Sequence, residues 1–297
     1  MAALEGPGLM AVTAVVVNFN TGETLARCIR ALFAGSLKPD VLVIDNASSD
    51  RSARDLAQQF GNHAGLQLLF NPTNVGFAKA VNHAVGRISA DWVLVLNPDC
   101  IVGSATVEKL IDALQADPKA ALAAPAVTDP RGRIEKASLR RFPKPGNALL
   151  TLLGLWRLAR WIPALEGVPV RAERAGTDPV VAEAVSGACM MVRRSAFVEV
   201  GMLDQAYGLH CEDLDLMYRL QQAGWHSLYV PGASAMHEQG LSSRSRPAWV
   251  HRQKHQGMQR FYDKFQAERH SAPLRWLVRG GIWAHYAVTL PLALLRR

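Results

Sequence analysis

Val12-Thr13-Ala14-Val15-Val16-Val17, followed at once by Asn18-Phe19-Asn20, is the segment on which the fold turns. The run is rich in β-branched residues and too short for a helix, so it reads as a strand buried on both faces. Polar residues then close it abruptly. The same signature recurs along the chain: Val41–Ile44 leads into Asp45-Asn46, Leu66–Phe70 into Asn74 and Gly76, and Trp92–Leu96 into Asn97-Pro98-Asp99. Helical patterns fill the intervals. Leu25, Cys28, Ile29, Leu32 and Phe33 share one face and predict a helix over Glu23–Phe33. Asn46–Asp50 supplies turn and cap chemistry for a helix over Ser52–Phe60. Gly76 opens a helix with Phe77, Val81, Ala84, Val85 and Ile88 on its apolar face, and Val107, Leu110, Ile111 and Leu114 mark another. Strands alternating with helices predict an α/β fold with a mostly parallel, Rossmann-like, doubly wound sheet. Such sheets bind ligands at the carboxyl ends of their strands, where these amides and carboxylates should converge.

Composition narrows the class. The chain has 297 residues, 49% of them hydrophobic, which supports a sizeable core. A net charge of +8 is compatible with nucleic acid, anionic lipid or a phosphorylated substrate. Cys28, Cys100, Cys189 and Cys211 form no C-x-x-C pair, which disfavours zinc and fits reduced thiols in the cytoplasm. Met1–Met10 lacks the basic-then-apolar pattern of a secretory signal. Gly6-Pro7-Gly8-Leu9-Met10-Ala11 matches G-x-G-x-x-A, but it precedes the first strand, so a dinucleotide site fails on context. No G-x-x-x-x-G-K-[ST] loop is present.

Each candidate for chemistry has a plainer competing role. Asp45 can accept hydrogen bonds from a base or ribose; otherwise it makes an Asx turn or cap. Asp99, fixed behind Pro98, suits a hard cation such as Mg²⁺ or Mn²⁺ shared with substrate phosphates; otherwise Asn-Pro-Asp is a turn. Glu212 and Asp213 begin a helix running to Ala223, with Gly224 as its stop. Acids there favour the helix dipole, yet Asp213 can also serve as a base toward an attacking hydroxyl. Asp215 and Arg219 are spaced for a surface ion pair. His237 follows a short strand, His226–Val230, and becomes a ligand only if it approaches Asp99. Arg244, Arg246, Arg252, Lys254 and Arg260 form either a solvated basic face or a loop closing over a diphosphate.

Taken in order, these segments resemble the family 2 glycosyltransferases, especially their bacterial rhamnosyltransferase-like branch, over Val12–Lys264. The matching segments are VVVNFN (Val15–Asn20), VIDNASSD (Val43–Asp50), NPTNVGFAKAVN (Asn71–Asn82) and LNPD (Leu96–Asp99). VSGACMMVRRSAF (Val185–Phe197), VGMLD (Val200–Asp204), EDLDLMYRLQQAGW (Glu212–Trp225) and VPGASAMH (Val230–His237) follow. The resemblance implies a GT-A fold with a C-terminal helical extension. It further implies inverting transfer from a nucleotide-sugar to a glycan or polyprenyl-linked acceptor, with no role for nucleic acid. By the same resemblance Asp213 is the general base and Glu212 positions it or the acceptor. Asp99 and His237 hold a divalent metal. Asp45, Asn18, Asn20, Asn46, Asn74, Gly76, Asn82, Asn97, Asp99 and Arg244 contact the nucleotide-sugar. Two features depart from the family pattern: Asn97 opens the D-x-D-like triplet, which is usual in this branch but leaves one metal carboxylate, and Leu203–Cys211 lacks the F-D-E and aromatic stretch common in the branch. The rival readings are a nucleotidyltransferase, which wants a Gly-rich loop after the first strand, and a catalytically silent partner of a glycan assembly complex.

Ala148–Leu165 and Leu274–Arg297 are apolar, aromatic and free of acids. Each reads as a helix at a membrane interface, with a core helix or sheet cover as the alternative; a spanning tail is the weaker reading of the second. The expected organisation is a GT-A domain over 11–240, with a nucleotide half at 11–130 and an acceptor half at 180–240. Residues 131–179 form an insertion, and 241–297 a basic loop and helices. The expected location is the cytoplasmic face of the inner membrane, held peripherally.

Overall fold

A computed structural model describes residues 11–172, 175–238 and 246–295. Met1–Met10, Arg244 within 239–245, and Arg296-Arg297 lie outside the described residues, so what is expected of them rests on sequence alone.

The first half runs β1 (Val12–Asn18), α1 (Thr24–Phe33), β2 (Asp40–Asp45), α2 (Ser52–Phe60), β3 (Leu66–Phe70), α3 (Phe77–Val85) and β4 (Trp92–Leu96). It continues with β5 (Cys100–Val102), α4 (Thr106–Ala116), β6 (Ala120–Thr128), β7 (Leu139–Arg140) and α5 (Pro145–Leu152). The second half comprises β8 (Val180–Ala182), β9 (Ala184–Val185), β10 (Cys189–Arg193), α6 (Arg194–Glu199), α7 (Glu212–Gln222), β11 (His226–His237), α8 (Pro247–Phe265) and α9 (Ala272–Leu295).

The main sheet has nine strands in the order β3-β2-β1-β4-β10-β6-β11-β5, with β8 added to β11. β3, β2, β1 and β4 are mutually parallel, as the alternating pattern requires. Beyond β4 the sheet is mixed: β10 runs antiparallel to β4 and β6, while β6 and β11 are parallel. All seven residues of β1 are buried. Its period of two sends Ala14 and Val16 to one core, with α1, α2 and α4, and Val15 and Val17 to the other, with α3, α6 and α7. Each fully buried Val or Leu contributes roughly 1.5–3 kcal/mol, so these two apolar layers outweigh any surface ion pair.

Two expectations change, and one alternative falls away. His226–Val230 is only the start of β11, which passes a register shift near Pro231 and continues to His237. His237 is therefore a strand residue paired with Cys100, not part of a following loop. Asp215 is fully buried, so its pair with Arg219 is interior, not superficial. Arg219 also donates to the carbonyls of Val200 and Met202, tying that loop to α7. Finally, neither apolar segment is a core helix, since α5 and α9 contain no buried residue. No helix among the described residues is long and apolar enough to cross a membrane.

Candidate active site

The strand ends converge as the parallel topology demands. Asn18, at the end of β1, donates through Nδ2 to Asp45 Oδ1 (2.7 Å) at the end of β2, and to Ser52 Oγ (2.8 Å). The second Asp45 oxygen accepts the Ser48 amide at 3.1 Å, the Asx-turn role weighed for it in the sequence. Asn20 Oδ1 accepts the amides of Ser49 (2.7 Å) and Asp50 (3.2 Å). Asn46 Nδ2 donates to Asn74 Oδ1 (2.9 Å), while its Oδ1 accepts from Asn71 and Val75. Asn74 also accepts the Gly76 amide (3.0 Å), just before α3. Asn18, Asn20, Asp45, Asn46, Asn74 and Gly76 thus form one bonded floor. Asn82 stands apart: its amide donates to Leu203 O (2.8 Å) and accepts Leu203 N (3.0 Å), so both polar atoms clamp the 200–204 loop.

The turn after β4 carries the second group. The Asn97 amide donates to Ala188 O at 2.9 Å. Asp99 is buried, with Oδ1 3.2 Å from His237 Nε2. On the far side of the ring, His237 Nδ1 lies 3.3 Å from Glu135 Oε1. Burial disfavours the His237 cation, but Asp99 and Glu135 override it and push the imidazole up to about 9. Among the described residues no cluster of three His, Cys, Asp or Glu is ready-made for a metal. The Asp99–His237 pair nevertheless fits a shared ion. Two adjacent ligands of an octahedral ion with bonds of about 2.1 Å lie about 3 Å apart, close to the separation observed here. Substrate phosphates commonly supply the remaining ligands of such ions.

The third group opens α7. Asp213 Oδ1 accepts the Leu214 amide (2.9 Å), and Oδ2 accepts from Arg140 Nη2 (2.7 Å). Arg140 sits on β7 and also donates to Val185 O on β9 (2.6 Å), so the small β7–β9 sheet aims it. Sequence reasoning missed Arg140, because 131–179 offered no periodic pattern to place it. Glu212 Oε2 is enclosed without a hydrogen-bond partner among the described residues. Burial, reinforced by the Asp213 charge, pushes the Glu212 carboxyl up to about 8, so it holds its proton at neutral pH. The Gly187-Ala188 stretch joins this group to the last one. A Cβ on Gly187 would sit 2.7 Å from Asp213 Cβ, so only glycine lets β10 approach the acid. Its neighbour Ala188 holds the Asn97 turn. All four cysteines are buried and free, and burial raises their thiols, so none is an activated nucleophile.

The ends of the parallel strands thus carry a bonded polar floor, the turn after β4 a buried Asp–His pair, and the start of α7 an acid held by Arg140 and reached through Gly187-Ala188; open α/β sheets bind their ligands at such strand ends. Residues 13–201 match the family model described as glycosyl transferase family 2, and residues 171–297 match glycosyl transferase family group 2. The chain belongs to glycosyltransferase family 2. It is 33% identical over 286 residues to the N-acetylglucosaminyl-diphospho-decaprenol L-rhamnosyltransferase of Mycobacterium tuberculosis (strain CDC 1551 / Oshkosh), covering 90% of this chain and 89% of that one. It is 27% identical to rhamnosyltransferase WbbL of Escherichia coli K12, over 78% of this chain and 84% of that one. The mannosyltransferase PcManGT of Pyrobaculum calidifontis, solved with GDP-Man and Mn²⁺, superposes with a TM-score of 0.59 at 17% identity, covering 96% of this chain and 73% of that one. The architecture is the GT-A fold.

Proposed function

We propose that this glycosyltransferase moves a sugar, with rhamnose the leading candidate, from a nucleoside-diphosphate donor to a hydroxyl of a polyprenyl-linked glycan, inverting the anomeric centre. The observation that carries the reading is the Gly187-Ala188 stretch, which abuts Asp213 on one side and holds the Asn97–Asp99 turn on the other. In this reading Asp213 is the general base and the Asn97–Asp99 turn binds the diphosphate, and their shared contact with Gly187-Ala188 supports it. The rhamnose and lipid assignments follow the two relatives named above.

In this reading the floor from Asn18 to Asn74 and Gly76 holds the nucleotide, with Asp45 and Asn46 pre-organised by their bonds to neighbours. A divalent ion held by Asp99 and His237 would offset the charge growing on the departing diphosphate. Asp213 takes the acceptor hydroxyl proton as that oxygen attacks the anomeric carbon and the carbon–oxygen bond to diphosphate breaks. Arg140 fixes the Asp213 carboxylate, and protonated Glu212 donates a hydrogen bond that orients the acceptor. One displacement inverts the centre, by the logic of inverting hydrolases with a sugar hydroxyl in place of water. The domain division at 11–130, 180–240 and 241–297 is part of the same proposal, as is attachment to the cytoplasmic face of the membrane.

Nucleoside-diphosphate release from a panel of nucleotide-sugars tests the reading, with lipid-linked acceptor and with Mn²⁺ or EDTA. One donor should turn over, in Mn²⁺ only, and Asp213→Asn should lower kcat by about 10²–10⁴-fold, the usual worth of a general base. Undiminished turnover by Asp213→Asn excludes it as the base. No turnover of any donor with acceptor present favours the silent-partner alternative.

A further inference from the structure

Glu135 belongs to none of the groups assigned above, yet it sits against one of them. It lies in the turn after β6, where its amide donates to Val127 O and its carbonyl accepts the Ser138 amide, both at 2.9 Å. Those two bonds fix the backbone, so the side chain is delivered inward, 5% exposed. A buried carboxylate costs stability unless it is paired. Its Oε1 faces His237 Nδ1 at 3.3 Å, and neither atom has a hydrogen-bond partner among the described residues. The spacing is that of an ion pair whose hydrogen-bond alignment is incomplete. On the opposite edge of the same ring, Nε2 faces Asp99.

We propose that Glu135 is a positioning residue for the metal: its carboxylate accepts a hydrogen bond from His237 Nδ1–H, so that Nε2, beside Asp99, is the nitrogen that gives up its proton to the ion. This rests on the reading that Asp99 and His237 hold a divalent ion. The physical reason is tautomeric. A neutral imidazole carries one proton, and a metal binds only the nitrogen that lacks it. A carboxylate on the far nitrogen settles which one that is, and raises the basicity of the ligating nitrogen. The chain supplies a single carboxylate ligand here, since Asn97 occupies the first position of the triplet. The second carboxylate then acts through the histidine instead of on the ion.

The test is Mn²⁺ binding in the presence of nucleoside diphosphate, measured by calorimetry on the full chain, without turnover. Wild type, His237→Ala, Glu135→Ala and Glu135→Gln are compared, each first checked for native melting. Glu135→Ala should weaken Mn²⁺ by about 10–100-fold. Glu135→Gln keeps an oxygen acceptor and should recover part of that loss. With Mg²⁺ and ¹⁵N-histidine, the His237 ring should carry its proton on Nδ1 in wild type and lose that preference in Glu135→Ala. If His237→Ala weakens Mn²⁺ and Glu135→Ala does not, the metal reading stands and the role given to Glu135 is wrong. If wild type takes up no Mn²⁺, both fall. Should Glu135→Ala fail to fold, Glu135→Gln and Glu135→Asp decide together: unchanged Mn²⁺ affinity and an unchanged ring tautomer in both overturn the proposal.

Discussion

At the residue scale, the adjacent acids at the start of α7 illustrate how environment divides labour between like groups. Asp213 has both oxygens engaged, by Arg140 and by the Leu214 amide. Glu212 has an enclosed oxygen with no partner among the described residues, and burial first, then the Asp213 charge, raises its carboxyl to about 8. In the proposed mechanism the first acid accepts a proton and the second keeps one, the separation of roles that paired catalytic acids use. A stability consequence follows with a definite sign. The folded protein binds the Glu212 proton up to about pH 8, whereas the unfolded chain releases it near 4.5, the ordinary value for a glutamate. Between those values the folded state holds more protons, so stability falls as pH rises. Glu212→Gln removes that contribution. Melting temperature minus that of Glu212→Gln should therefore decline from pH 5 to pH 8, and a flat difference curve would show that Glu212 ionises normally. His237 titrates in both proteins and cancels from the difference.

At the scale of elements, α8 buttresses the turn that delivers those acids. His210 and Cys211 both have positive φ, +69° and +71°, a conformation costly for residues with a Cβ. Gly257 of α8 packs against this turn, and a Cβ there would lie 2.7 Å from His210 O. That neighbour is backbone and cannot swing away. Gly208 offers a contrast, since the atom a Cβ would meet is the far end of the Gln253 side chain. Gly257→Ala should cost about 1–3 kcal/mol by over-packing and lower kcat with donor KM unchanged, while Gly208→Ala does much less. Equal effects in chemical denaturation and kinetics would remove the buttress. Nothing in the sequence marks Gly257, because the contact joins elements far apart in the chain. By contrast β1 to β4 and their helices were legible, as each carries its own period. β6 was not: Ala120–Thr128 is alanine-rich and contains Pro125, so it lacks strand propensity and is held by β10 and β11 on either side. Asp45, Asp99 and Asp213 were legible from their places after strands or at a helix start. Arg140 and Glu135 were not, since only tertiary folding brings 131–140 to both acidic centres.

At the scale of the whole molecule, α9 is docked with its polar side inward. His285 Nδ1 meets His255 Nε2 at 2.9 Å, Trp283 donates to Gln259 Oε1 at 2.7 Å, and Arg279 pairs with Asp263 at 2.9 Å. The apolar side is left outward, with Trp276 73% and Val288 74% exposed. α5 and the turns after it repeat the pattern, with Leu153 and Trp161 exposed beside Arg157 and Arg160. A helix in water normally does the reverse. Outward apolar faces edged by arginines fit the boundary of an anionic bilayer, where a polyprenyl-linked acceptor resides. The net charge of +8 acts in the same direction. Trp276 and Leu277 are solvent-facing, so replacing both with serine should leave folding and turnover of a water-soluble acceptor analogue intact. The same double variant should bind vesicles containing phosphatidylglycerol on the order of tenfold or more weakly in co-sedimentation, since burying either side chain is worth roughly 1.5–3 kcal/mol. Transfer to acceptor embedded in those vesicles should fall with binding, and added salt should weaken both by screening the arginines. Vesicle binding unchanged by the double variant would place the membrane contact elsewhere; no vesicle binding by the wild-type chain would mean that the acceptor is met in solution.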